Sequence, residues 1–196
     1  MRNAISLIGA VLILTACAGG AASGPPSDSG GLVTVPPNEP LVIAVASTRY
    51  STGLAEIGQD QFRGAELAIL DHGAIRGFDL EILWEDAPCS ADGGEVAARF
   101  LVTDNPNVVA VIGHTCSNSC VSGANIYDEQ HFTMISPSCS ATSLTQQGLH
   151  VDSFLRTIYD DTLEGAAAAD YAYRELGVRD VAVMHYDSEN TASLVG

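Results

Sequence analysis

The sequence has no lysine. Its eight cations are all arginines, set against 24 aspartates and glutamates, and the formal net charge is −16 over 196 residues. A chain so short of positive charge has nothing with which to neutralise a run of phosphates, so nucleic-acid binding is excluded. Docking on anionic lipid through a basic patch is excluded for the same reason. Glycine loops of the GxGxxG or GxxxxGK(S/T) type, which cradle phosphates, are missing, and so is the GxSxG elbow of the α/β hydrolases. No apolar run reaches the roughly 20 residues of a membrane-spanning helix. Charged residues make up 16% and hydrophobic ones 46%, which is too apolar for a disordered acidic tail. What is left is an acidic globular chain. Its length suits one domain, or one and a fraction, at roughly 100–200 residues per domain.

The N-terminus reads as an address. Met1 and Arg2 give a short positive start, Ala4 to Leu14 is apolar, and small residues lead into Cys17. A core this short is a signal peptide rather than a span. Leu14-Thr15-Ala16-Cys17 resembles the lipobox of bacterial lipoproteins, which implies cleavage before Cys17 and diacylation of its thiol. Residues 1–16 would then be lost. The competing reading is an ordinary secretory signal with an incidental cysteine. Residues 17–40, rich in Gly, Ala, Ser and Pro and without apolar period, read as a lipidated flexible tether.

From Leu41 onward strands and helices alternate. Leu41–Ala46, Val108–Gly113 and Thr133–Ser136 are short apolar runs of buried strands, and Asp79–Glu85 alternates. Phe154–Thr157 and Val181–His185 are further strands. Helices are expected over Gln59–His72, Ser90–Asp104 capped by Ser90, Asn118–Gln130, Ser140–Gln147 and Thr162–Leu176 closed by Gly177. The expected core stripes are Phe62, Ala65, Leu67, Ala68, Ile69 and Leu70 on the first helix. On the second they are Val96, Ala97, Phe100 and Leu101. Such alternation means βαβ units, an α/β fold with a Rossmann-like parallel sheet covered on both faces. Ligands bind such sheets outside the carboxyl ends of the strands. Those ends are Ser47–Gly53, Glu85–Cys89, Gly113–Cys120 and Ser136–Ser140, and three of the four are rich in Ser, Thr and Cys. The edge is lined with hydroxyls.

Several stretches, in order, resemble the periplasmic binding proteins of the leucine/isoleucine/valine type, the solute receptors of amino-acid ABC transporters. They are FRGAELAI at 62–69, EILWEDAPCS at 81–90, VIGHTCSNS at 111–119, MISPSCSATSLT at 134–145, FLRT at 154–157 and VAVMHYD at 181–187. The resemblance implies a type I periplasmic-binding-protein fold of two Rossmann-like lobes that close over a small molecule. Residues 41–157 would be the first lobe and 158–196 the beginning of an incomplete second, the chain being truncated at its C-terminus relative to the family.

Apart from Cys17 there are four cysteines, Cys89, Cys116, Cys120 and Cys139, and an even count in an exported chain favours disulfides. By resemblance Cys89 pairs with Cys116, which leaves Cys120 and Cys139 as a second bridge; a Cys116–Cys139 pairing stays open. The competing idea is a zinc-like cluster of His114, Cys116, Cys120 and Cys139, whose HxCxxxC spacing matches no known module. A Cys116 or Cys120 nucleophile on His114 lacks an orienting acid. No metal and no cofactor is expected. The resemblance carries the ligand contacts onto Ser117, beside Cys116, and onto Ser138 and Ser140. Ser117 and Ser140 would hold an α-carboxylate, and Ser138 would offer main-chain groups to the ammonium. The plain alternative for each is an N-cap serine with no ligand. The family's pocket tyrosines fall on Ile57 and Asn190, which leaves the ligand's identity open.

The function these readings imply is a monomeric, non-enzymatic, lipid-anchored receptor facing the periplasm or cell exterior. It would capture an amino acid, branched-chain or similarly aliphatic, for ABC permease subunits. The alternative is the ligand-sensing ectodomain of a signalling receptor.

Overall fold

The computed structural model describes residues 33–51 and 53–184. Cys17, the signal peptide, most of the tether, His185 and Asn190 lie outside them. Among the described residues no helix is long and apolar enough to cross a membrane.

Five strands form one parallel sheet: β1 (Leu41–Ser47), β2 (Leu80–Asp86), β3 (Val108–Gly113), β4 (Thr133–Ser136) and β5 (Phe154–Arg156). Their order across the sheet is β2-β1-β3-β4-β5, and every pairing is parallel. Helices α1 (Ala55–His72), α2 (Ala91–Asp104) and α3 (Ser117–Glu129) connect them, and α4 (Asp161–Arg174) follows β5. The register brings Ser47 beside Asp86, Ala46 beside Gly113 and Ser136 beside Arg156. All five carboxyl ends therefore open on one edge, the edge where an open parallel sheet takes its ligand.

Strand β1 is apolar because both of its faces are covered. Ala44, Val45 and Ala46 are fully buried, as are Leu101, Val108, Tyr127 and Met134. Ser90 caps α2 as expected, its hydroxyl accepting from the Gly93 N–H at 3.0 Å.

Small residues decide how the helices lie, and this corrects several expectations. Helix α1 starts at Ala55, not Gln59. Gly58 reads as a loop residue in sequence, yet it sits in the first turn because any Cβ there would come within 2.8 Å of the Thr48 backbone. Of the expected α1 stripe, Leu67 and Leu70 are exposed, and the buried positions are Gly58 and Ala65. On α2, Val96 and Phe100 face outward, while Gly94, Ala97, Ala98 and Leu101 pack inward at helical spacing. Gly94 lets α2 approach α3 closely enough for the Ser122 hydroxyl to donate to Ala91 C=O at 2.7 Å. The expected helix over Ser140–Gln147 is only a 3₁₀ turn at Thr142–Leu144, because the Ala141 and Leu144 side chains turn into the core while Arg156 holds the carbonyls before them. Val181–Met184 is not a strand, since among the described residues it has no neighbour to pair with.

Candidate functional site

The site is built where β3 and β4 end. Two disulfides frame it: Cys89 is bonded to Cys116, with Cα atoms 5.1 Å apart, and Cys120 to Cys139, at 6.4 Å. The first ties the loop after β2 to the start of α3. The second ties the first turn of α3 to the loop after β4. Cys116–Cys139 pairing is thereby overturned, and four oxidised sulfurs leave no thiolate for a zinc cluster or a nucleophile. His114 is also unavailable. It is fully buried, with Nδ1 2.7 Å from Ser119 Oγ and Nε2 2.9 Å from Tyr127 Oη. Burial pushes its pKa down to about 4, a Ser119 hydrogen bond opposing the shift, so the ring is neutral near pH 7. Gly123 makes room for it, since a Cβ there would meet His114 Cε1 at 2.6 Å. His114 is a buried strut.

A hydrogen-bond ledger of the loop after β4 shows what remains free. Ser136 Oγ donates to His114 C=O at 2.9 Å and accepts from the N–H groups of Ser138 and Cys139 at 3.3 and 2.9 Å. Ser138 Oγ donates to Thr115 C=O at 2.7 Å and accepts from Gln61 Nε2 at 2.8 Å. The Ala141 N–H donates to Ser117 Oγ at 3.2 Å. Arg156 Nη1 donates to Cys139 C=O and Ala141 C=O at 3.4 and 3.0 Å, and Nη2 reaches Thr145 Oγ1 and Asp160. The Asp161 N–H takes Ser140 C=O at 2.9 Å. Four polar groups of the loop keep no protein partner among the described residues: Pro137 C=O, Ser138 C=O, the Ser140 N–H and the Ser140 hydroxyl. Two acceptors beside two donors match an ammonium beside a carboxylate.

Ser117 opens α3 from the facing side, 5% exposed, with Cys116 as the N-cap residue. Its oxygen accepts from Ala141, so its own proton is the part left to offer. Ser117 is the first residue of α3, and a helix N-terminus favours an anion. Cys116 brings backbone and bulk only, its sulfur being in the bridge. Ser117, Ser138 and Ser140 thus share one edge, and the hydroxyl of Ser138 is fully occupied within the protein.

Three residues of this edge have no role in the sequence reading. Thr115, at the end of β3, accepts from the Thr48 N–H at 3.1 Å and donates to Gln61 Oε1 at 2.9 Å. Gln61 comes from α1. Arg156, its side chain 8% exposed, lies in the FLRT stretch, which was the one available signal. Farther along the edge, Arg49 lies over Trp84, with Cζ 4.7 Å from the ring centroid, and its N–H donates to Asp86 at 2.7 Å. A cavity of about 190 Å³ between α3 and the 143–151 segment does not touch the serines, nor does one of about 580 Å³ around Pro37–Pro40 and Arg76–Asp79.

A family model described as periplasmic binding protein matches residues 40–195. The chain belongs to the periplasmic binding protein family. The Leu/Ile/Val-binding protein of Escherichia coli (strain K12) is 32% identical over 150 residues, covering 75% of this chain and 40% of that relative. An amino acid binding protein of Pseudomonas aeruginosa is 31% identical over 148 residues, covering 74% and 38%. Among solved structures, the leucine binding protein of Thermotoga maritima superimposes with a TM-score of 0.62 at 27% identity, over 70% of this chain and 38% of that one. An ABC transporter substrate-binding protein of Desulfitobacterium hafniense in complex with Leu gives 0.66 at 25%, over 80% and 45%. The chain therefore spans about 40% of the length of the curated relatives it matches. The family is one of binding proteins and not of enzymes.

Proposed function

We propose that the protein captures an amino acid, branched-chain or similarly aliphatic, outside the cytoplasm and presents it to the permease subunits of an ABC transporter. In this reading the Ser140 N–H and hydroxyl, with the Ser117 hydroxyl, take the α-carboxylate, and Ser138 C=O takes the ammonium. The observation that carries it is the set of loop groups without a partner among the described residues, the Ser138 carbonyl beside the Ser140 N–H and hydroxyl. A zwitterion removed from water needs a partner for each charge, and the loop offers one of each kind. Residues 41–157 form the first lobe and 158–196 begin the second, whose remaining wall closes the cleft by hinge motion. Diacylation of Cys17 and the tether to residue 40 hold the receptor at the membrane, where two acyl chains suffice for stable anchoring.

Calorimetry with a panel of amino acids, on the protein expressed from its complete reading frame, tests this. Binding of leucine, isoleucine or valine is expected. Ser140→Ala should weaken it by about 1–3 kcal/mol, the worth of a hydrogen bond to a charged group. No binding by any amino acid would refute the reading. Mass spectrometry of the mature N-terminus should find a diacylated Cys17, and a product starting elsewhere would remove the anchor.

A further inference from the structure

We propose that Gln61 is a positioning residue for the ligand, its amide fixing the loop that presents Ser138 C=O and the Ser140 N–H. The inference rests on the amino-acid-binding reading above and adds to it a residue on a different element. Three hydrogen bonds close a ring: Ser138 Oγ donates to Thr115 C=O at 2.7 Å, Thr115 Oγ1 donates to Gln61 Oε1 at 2.9 Å, and Gln61 Nε2 donates to Ser138 Oγ at 2.8 Å.

The contacts assign each bond a direction. Thr115 Oγ1 accepts from the Thr48 N–H at 3.1 Å, has the Thr48 hydroxyl 3.4 Å away, and donates to Gln61 Oε1 at 2.9 Å. Ser138 gives its proton to the Thr115 carbonyl, so its oxygen must accept and Gln61 must present the nitrogen. This orientation of the amide satisfies both partners. Because the Ser138 hydroxyl is held twice, it cannot rotate toward a ligand, and its carbonyl on the same residue stays where the ring sets it. Ser136, Ser117 and Arg156 fix the rest of the loop from the sheet side. Gln61 fixes it from α1. Preorganised groups of this kind spare the ligand the ordering of the loop.

The test is leucine affinity, by calorimetry on the protein from its complete reading frame. Gln61→Met keeps the length of the side chain and removes both bonds. Affinity is expected to fall about tenfold, the scale of one lost hydrogen bond, with the far-UV circular dichroism unchanged. Gln61→Glu is the sharper variant. Near neutral pH its carboxylate accepts from Thr115 but has no proton for Ser138, and the same loss is expected. Near the carboxyl pKa of about 4.3, the protonated acid offers one acceptor and one donor, as the amide does. Its affinity relative to wild type at the same pH should recover, a pH profile that a purely structural side chain would not produce. Should Gln61→Met not fold, Gln61→Glu carries the test alone. Leucine binding by Gln61→Met within twofold of wild type, or a Gln61→Glu deficit unchanged with pH, overturns the role of Gln61. A wild type that binds no amino acid overturns the parent reading and this inference with it.

Discussion

Acidification asks the imidazole of His114 to take a proton in a fully buried place. The ring is fully buried between Ser119 and Tyr127, and burial lowers its pKa from 6.5 to about 4. In the unfolded chain the same ring titrates at its ordinary value. Between those two values the unfolded state binds more protons than the folded one, so stability falls as pH drops through the window. Above about pH 6.5 the full contribution is present, and below about pH 4 both states are protonated and the loss is complete. At about 1.4 kcal/mol per pH unit, the gap amounts to about 3 kcal/mol. Carboxylates titrate in the lower half of the window as well, so the comparison must be with a variant that differs only at the ring. His114→Gln keeps a polar side chain and does not titrate. Urea unfolding of both proteins at several pH values from neutral down to about pH 4.5 supplies the numbers. The variant is expected to be less stable than wild type at neutral pH, with the gap narrowing by 2 kcal/mol or so on acidification. A gap that stays constant across the range would show that the His114 proton is not excluded by folding.

Other consequences follow from the same packing. Gly123→Ala forces a methyl group against His114 Cε1 and should lower stability by about 1–3 kcal/mol in urea melts. Replacing Cys120 and Cys139 together by Ala opens a loop with a sequence separation of 19. A loss of about 3 kcal/mol is expected from chain entropy, and four cysteines that all alkylate without reductant would contradict both bridges. Arg156→Lys cannot serve Cys139 C=O and Ala141 C=O together with Thr145 and Asp160, so leucine affinity should fall more than tenfold.

The sheet was legible because its strands are apolar runs of the right length. Val108–Gly113 and Thr133–Ser136 are read from sequence with the bounds the structure has. The inward faces of α1 and α2 were legible only in part, and the reason is physical. Ala65, Ala97 and Leu101 are buried as expected, but Gly58, Gly94 and Ala98 bury little apolar area each, so periodicity favours the larger Leu67, Leu70, Val96 and Phe100, which face water. Close approach of a helix to its neighbour is decided by what a side chain would collide with, and hydrophobicity does not record that. At the site, the serines were reached through strand ends and family motifs. Gln61 was not, because its partners Thr115 and Ser138 lie 54 and 77 residues away and a hydrogen-bond ring across three elements leaves no local pattern. Arg156 gave a motif but no role, since its work is to hold carbonyls of a loop whose shape is known only from the fold.

The reading that the Ser138–Ser140 loop receives a zwitterion stands or falls on the charges of the ligand. Calorimetry of leucine against leucinamide, on the protein from its complete reading frame, isolates the carboxylate. Leucine should bind, and amidation should weaken binding by at least tenfold or so, because the Ser140 N–H and hydroxyl lose a charged acceptor worth about 1.5–3 kcal/mol per bond. Equal affinity for the acid and the amide, or no affinity for either, would contradict the account.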